Sequence, residues 1–131
     1  MFIPEHFRIT NREEIEKFMS NHPFATLITA REGEIEVSHL PICRFNDGKY
    51  YGHMARLNAQ ADISETDPAT VIFSGPHAYI TPAWYASEVN LPTWNFSAVH
   101  CRGKVAFIDS PEKAWSLLKE MVAILEGQTG W

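Results

Sequence analysis

The hydrophobic pattern changes twice along the chain, from a helical period to a strand-like period and back to a helical one. Between about residues 11 and 20, one helical face carries Ile15, Phe18 and Met19. Thr10 and Glu13 fit a capping box, in which each side chain satisfies a backbone N–H of the other residue. This pattern predicts a first helix, and Pro23 marks its end.

The middle of the chain predicts strands that are joined by short turns. The segment 24–30 is apolar on both of its alternating faces, which suits a strand covered on both sides. The segment 34–38 alternates strictly and predicts a half-buried strand. Because proline donates no hydrogen bond, this strand must lie at an edge or be bulged at Pro41. Further strands are predicted over 49–54, 69–74 and 94–108, with a break at Gly75–Pro76 and a bulge at Gly103.

A second helix is predicted near the C-terminal end. Ser110 is a favoured N-cap residue and Pro111 a favoured first helical residue, and the helix extends to about residue 126, where Gly127 fits its end. One apolar stripe on it comprises Trp115, Leu118, Val122 and Leu125. Since short hairpins connect consecutive strands, the element order favours a mainly β protein, a β-barrel or sandwich with flanking helices.

Length and composition suit a single domain over residues 1–131, with 45% hydrophobic and 21% charged residues. The formal net charge of −5 and the lack of a basic run argue against direct nucleic-acid binding. The two cysteines, Cys43 and Cys101, predict reduced thiols in apolar strands. Because the sequence shows neither a signal peptide nor an apolar stretch that could span a membrane, we expect a cytoplasmic protein.

A first candidate for ligand binding is the segment 52–58, where a predicted strand gives way to a predicted short helix over 56–63. At that junction Arg56 could bind a phosphate through two hydrogen bonds, reinforced by the unpaired amides of the helix N-terminus. From the residue pattern alone, an exposed arginine that caps a loop is the better explanation.

Three further groups could contact a ligand through an exposed sheet edge, through aromatic stacking or through positive charge. They are Ser38 and His39 beside Pro41, the aromatic residues Trp84, Tyr85 and Trp94, and the alternating residues His100, Arg102 and Lys104. Each group also has an ordinary structural explanation: a packed edge histidine, aromatic residues of the core or an interface, and a solvated polar face.

The sequence contains no motif that indicates a metal site or a catalytic nucleophile. His39 and Cys43 lie four residues apart in a predicted strand, and neither HExxH nor CxxC occurs, so no metal site is predicted. G-x-S-x-G, G-x-G-x-x-G and P-loop motifs are also absent from the sequence. We therefore predict no catalytic residue, and whether the protein is an enzyme stays open.

Ordered sequence blocks across nearly the whole chain resemble the PaiB-like family of FMN-binding proteins. They are 1–7 (MFIPEHF), 24–27 (FATL), 38–41 (SHLP), 52–56 (GHMAR), 73–80 (FSGPHAYI), 82–85 (PAWY), 92–95 (PTWN) and 99–100 (VH). The resemblance implies a split β-barrel of the pyridoxamine-phosphate-oxidase-like kind that binds FMN at a homodimer interface. It also implies a negative transcriptional regulator, and a chain that is short at its C-terminal end relative to the family.

Carried over position by position, the resemblance implies a set of FMN-binding residues. Arg56 would bind the phosphate, with Asn58 and the backbone near Ala55 assisting. The remaining residues would line the flavin and its ribityl chain, the last of them from the same or the partner subunit: Ser38, His39, His53, Met54 and Trp94.

Two alternatives stay open on the same fold. One is a flavin-dependent oxidoreductase, in which the flavin carries the redox chemistry and the protein orients a substrate. The other is a haem-binding relative of the split barrels, for which the conceivable ligands are His39, His53, His77 and His100.

Overall fold

The computed structural model describes residues 2–87 and 90–129, and it contains one five-stranded antiparallel sheet and two α-helices. The elements are α1 (Arg12–Asn21), β1 (Phe24–Arg31), β2 (Glu34–Arg44), β3 (Tyr50–Gly52), β4 (Ala69–Ile80), β5 (Thr93–Gly103) and α2 (Pro111–Thr129). Three short 3₁₀ helices cover Glu5–Phe7, Ala59–Asp62 and Pro82–Trp84. The strand order β3-β2-β1-β4-β5 confirms the predicted mainly β fold with flanking helices.

A two-residue turn connects β1 to β2 and fixes their register. Glu32 and Gly33 both have positive φ angles, of 53° and 90°, as a type I′ hairpin turn requires. Arg31 therefore pairs with Glu34, and the ladder extends to the pair Phe24–Pro41.

The sheet has one covered face and one open face. On the covered face, Ala25, Leu27 and Thr29 of β1 are buried, and Phe73 of β4 and Met19 of α1 belong to the same core. The open face is the opposite one, where the exposed apolar residues are Phe24, Ile35, Val37, Tyr79, Trp94 and Phe96. Several exposed large apolar side chains on one sheet face are typical of an interaction site.

The sheet curls so that its two edge strands approach each other. The rings of Tyr50 in β3 and Phe73 in β4 lie 6.3 Å apart, although these strands are not neighbours in the sheet. Residues of β3 and β5 line the same cavity, and α2 closes it from outside. This is the geometry of a barrel that stays split between β3 and β5.

Several element boundaries differ from the predicted ones. The N-cap of α1 is Asn11, whose Oδ1 accepts a hydrogen bond from the Glu14 amide at 3.2 Å, so the predicted Thr10–Glu13 capping box is wrong by one residue. β2 continues through Pro41, because the ladder with β1 ends there and the ladder with β3 begins at Ile42. The predicted loop over residues 88–91 lies partly outside the described residues.

Gly75 and Pro76 form a bulge within β4 instead of ending the strand. A Cβ atom on Gly75 would lie only 2.6 Å from the ring of Phe18 in α1, so glycine permits the close packing of α1 at this point. By contrast, Gly103 ends β5, and the predicted extended segment up to residue 108 is not part of the strand.

The predicted boundaries of α2 hold at its start, where Ser110 Oγ accepts a hydrogen bond from the Lys113 amide. Its end is Thr129, beyond Gly127. The predicted apolar stripe is wrong in part, because Trp115 is 60% and Val122 is 43% exposed. The face that packs on Cys43 and Phe45 comprises Leu117, Met121, Ile124 and Leu125. The helix carries apolar residues on more than one face, so periodicity could not select the buried one.

Gln60 links the 3₁₀ helix Ala59–Asp62 to the covered face. It is fully buried, and its Nε2 donates to the Leu27 carbonyl (3.3 Å), the Thr29 hydroxyl (3.0 Å) and the Glu36 carbonyl (3.1 Å). We expect Gln60→Leu to lower the free energy of unfolding by about 1–3 kcal/mol, because buried acceptors lose their donor at nearly constant volume. Chemical denaturation measures this, with exposed Glu65→Leu as control; equal stability of both variants would contradict it.

Candidate functional site: a loop at the edge of β2

The loop 53–58 is fastened to β2 by one side chain. Asn58 Nδ2 donates to Ser38 Oγ at 2.8 Å, and Asn58 Oδ1 accepts from the Gln60 amide at 2.9 Å. The Asn58 amide donates to the Ala55 carbonyl at 2.9 Å, which closes a turn around Arg56. Ser38, Ala55, Arg56 and Asn58, all predicted to contact the cofactor, are therefore brought together.

The predicted helix over 56–63 is wrong, since only Ala59–Asp62 forms one 3₁₀ turn. Arg56 precedes this turn, so a helix dipole cannot supply the anion attraction that the sequence suggested. Any attraction for a phosphate at this loop must come from the guanidinium of Arg56 and the hydrogen-bond donors around it.

His39 lies on the open face, opposite to its neighbour Ser38. His39 pairs with Thr26 of β1 across the ladder, and His39 Nδ1 lies 3.0 Å from Thr26 Oγ1. The His39 ring also lies roughly parallel to the Phe24 ring, with centroids 6.2 Å apart. The paired strands β1 and β2 thus present the Ser38 hydroxyl toward the loop and the rings of His39 and Phe24 toward the open face.

A cavity of about 710 Å³ begins at the same loop, and His53, Met54 and Arg56 line it. Three basic residues, Lys49, Arg102 and Lys104, also line it, and within residues 2–87 and 90–129 no aspartate or glutamate does. The sequence singled out His100, Arg102 and Lys104 as a group that could contact an anion, but it gave no sign that Lys49 lies at the same cavity as Arg102 and Lys104. Such a grouping depends on the curling of the sheet, which periodicity does not reveal.

Burial raises the pKa of two titratable groups at the cavity, a phenol and a thiol. It raises the pKa of the Tyr50 phenol, with the negative charge of Glu16 as a second cause. It also raises the pKa of the Cys101 thiol, whose Sγ lies 3.4 Å from Met19 Sδ. A phenol and a thiol in these states contribute no negative charge to the cavity at neutral pH.

Trp94 lies apart from the loop, near the start of β5. Its Nε1 donates to His77 Nδ1 at 3.3 Å, and the two rings are 5.7 Å apart and nearly parallel. Tyr79 completes the group at 6.1 Å from Trp94, beside a smaller cavity of about 320 Å³. Trp94 is therefore not joined to Arg56 by any described contact within one chain, whereas the other aromatic candidates Trp84 and Tyr85 are exposed on the adjoining segment.

The histidines form no metal-binding cluster in the ranges that the structure describes, where no three His, Cys, Asp or Glu side chains are grouped to hold an ion. His39 and His77 each use Nδ1 within the contacts given above, and His100 lies on β5. The haem alternative thus gains no support from a shared site. None of the described helices is long and apolar enough to cross a bilayer.

Comparison with known proteins matches the whole chain, residues 1–131, to a family described as "Putative FMN-binding domain". The chain is 41% identical over 131 residues to the "Protease synthase and sporulation protein PAI 2" of Bacillus subtilis. This alignment covers 96% of the chain and 60% of that relative. An uncharacterised protein of Saccharomyces cerevisiae is 27% identical, covering 98% of the chain and 89% of the relative, and one of Emericella nidulans is 26% identical, covering 88% and 61%.

The chain is therefore a mainly β domain of the FMN-binding type, and its cofactor is FMN. Within that class it belongs to the PaiB-like family, as the sequence blocks predicted. The chain spans about 60% of the length of the Bacillus subtilis relative.

Proposed function

We propose that this protein is a homodimer that binds FMN at the edge of β2, with the flavin phosphate held by Arg56. The observation that supports this site is the 2.8 Å hydrogen bond from Asn58 to Ser38. It fixes the loop that carries Arg56 beside the strand that carries His39. The hydrogen bond thus joins the loop with the residue proposed to bind the phosphate, Arg56, to the strand with a residue proposed to line the flavin, His39.

The residues around this connection have the chemistry that FMN needs. A guanidinium can bind a phosphate dianion through two parallel hydrogen bonds, and the backbone at Ala55 and the Asn58 amide group add polar partners. Met54 and His53, which line the adjoining cavity, would border the ribityl chain or the ring. When bound, the flavin supplies one- and two-electron redox chemistry, and the residues named here bind and orient it.

A second copy of the chain would complete the site from the open face. The apolar residues of that face are too many to be exposed in a stable monomer without a function. A two-fold axis over the open face would bring Trp94 of one copy toward the loop of the other, which accounts for its separation from Arg56 within one chain. Trp94 is proposed as the aromatic residue that flanks the isoalloxazine.

A regulatory role and a cytoplasmic location stay predictions from the resemblance and the sequence. We propose that any effect on transcription is indirect, because the net charge is −5 and the described helices include no recognition helix paired with a basic surface. The flavin-dependent oxidoreductase stays an alternative for which no acid or base has been identified.

Titration with FMN and with riboflavin tests the proposed site. Riboflavin has the same ring and lacks the phosphate, so we expect it to bind at least about tenfold more weakly than FMN if Arg56 holds the phosphate. Quenching of flavin fluorescence measures both affinities, and the melting temperature should rise with added FMN. Absence of saturable FMN binding, or equal affinity for the two flavins, would exclude this arrangement.

A further inference from the structure

The cavity between β3, β5 and α2 extends beyond the proposed flavin site. Its volume of about 710 Å³ lies within the range of roughly 300–1,000 Å³ that small-molecule sites occupy. Most of its wall is apolar and comes from several elements, among them Leu40, Val71, Phe73, Leu117 and Met121. These five residues come from three elements, β2, β4 and α2, so an apolar ligand would contact side chains on several sides.

Positive charge is concentrated at this cavity in a chain that is acidic as a whole. Sixteen acidic residues outnumber eleven lysines and arginines, yet four of the eleven line the cavity, and no carboxylate of the described residues does. The register with Thr70 places Arg102 on the open face, which leaves Lys49, Arg56 and Lys104 as cations of the cavity wall.

None of these three cations forms an ion pair in the described part of the chain, although Asp47 lies near Lys49: the hydrogen bond from the Lys49 amide, with the Lys49 charge as a further cause, lowers the pKa of the Asp47 carboxyl. Among the described residues, no carboxylate oxygen lies within 4.0 Å of their charged nitrogens. Lys49 precedes β3 and Lys104 follows β5, so the two come from opposite edges of the split. All three residues are exposed to solvent, and an anion placed between like charges reduces their repulsion.

We propose that this cavity binds an amphipathic organic anion, a molecule with an unbranched aliphatic body and one acidic head. The body lies against the apolar wall, and the head lies between Lys49 and Lys104. His53, Met54 and Arg56, which line this cavity, are also proposed to contact FMN, so the aliphatic body is placed against the rest of the wall, where FMN can be bound at the same time. The inference names a second ligand beside FMN and does not require that FMN bind.

A series of simple ligands tests both parts of the proposal. Decanoate should bind about fifteenfold more tightly than octanoate, because two further methylene groups are buried. Decanoate should also bind more tightly than 1-decanol, which has the same body without the charge, and added salt should reduce this difference. Isothermal titration calorimetry measures these affinities with FMN-free and with FMN-saturated protein, and we expect equal decanoate affinity in both.

Matched variants locate the ligand. Lys104→Met should weaken decanoate binding about fivefold and leave 1-decanol binding unchanged, because the lysine stem is replaced by an apolar one. Lys113→Met removes the same charge from an exposed position on α2 outside the cavity lining and should bind decanoate as the parent does. Leu118→Trp places a larger side chain at the cavity wall and should reduce binding of decanoate and decanol alike.

Four results would overturn the proposal. They are no saturable decanoate binding, equal affinity for decanoate and decanol, equal effects of the Lys104 and Lys113 variants, and displacement of decanoate by FMN. The last result would mean that FMN itself occupies the cavity. Failure of FMN binding with normal decanoate binding would instead contradict the proposed flavin site and leave this one intact.

Discussion

Replacing Arg56 by alanine is expected to weaken FMN binding about a hundredfold while leaving riboflavin binding unchanged. Two hydrogen bonds to a charged phosphate contribute together about 3 kcal/mol, and 1.4 kcal/mol corresponds to a factor of ten in affinity. Riboflavin has no phosphate to lose, so the difference between the two flavins should nearly vanish in the variant. Fluorescence titration of both flavins on parent and variant measures this coupling directly.

Two controls separate the phosphate contact from general effects of charge and folding. Arg8→Ala removes an exposed arginine whose side chain makes no described contact, and it should bind FMN as the parent does. Arg56→Lys keeps the charge but loses the paired geometry, so it should recover only part of the affinity. The assignment fails if Arg56→Ala weakens FMN and riboflavin equally, because the loss would then concern the ring or the fold.

Local signals predicted the fold where one residue type decides the geometry. The hairpin after β1 and the start of α2 at Ser110 depend on turn and capping residues, and the structure has both. Prolines and glycines within a predicted strand were less reliable indicators of where that strand ends. The sequence predicted an edge or a bulge at Pro41 and a strand break at Gly75, yet at Pro41 the ladder passes from β1 to β3, and at Gly75 a bulge admits Phe18 of α1. Those outcomes depend on neighbouring strands and helices that the local sequence does not specify.

The candidate site was predictable only as a set of segments. The blocks around Ser38 and Arg56 are both present in the resemblance. That Asn58 joins them is visible only in the folded structure, because the two segments are distant in sequence. The predicted short helix after Arg56 is wrong. Asn58 is the N-cap of a single 3₁₀ turn, and the Gln60 side chain in that turn is buried in the core. Lys49 gave no signal at all, since its place at the cavity follows from the curling of β3 toward β5.

A charge placed on the open face is expected to convert the proposed dimer to monomers. Val37 in β2 is 53% exposed and Phe96 in β5 is 60% exposed, and both lie on that face. Burying an unpaired aspartate in an apolar interface costs several kcal/mol, so Val37→Asp and Phe96→Asp should each weaken self-association more than about a hundredfold. In a monomer both side chains are exposed, so neither variant should lose much folding stability.

Trp115→Asp provides the matched control, because Trp115 is an equally exposed aromatic residue on α2, away from the sheet. Sedimentation velocity over a range of concentrations should show a dimer for the parent and for Trp115→Asp, and monomers for the two open-face variants. If Trp94 of one copy contacts the flavin of the other, these monomers should also bind FMN more weakly than the parent dimer, and the FMN affinity of the parent should itself fall as the parent is diluted and dissociates. A parent that sediments as a monomer, or open-face variants that remain dimeric, would show that the second copy does not associate through this face.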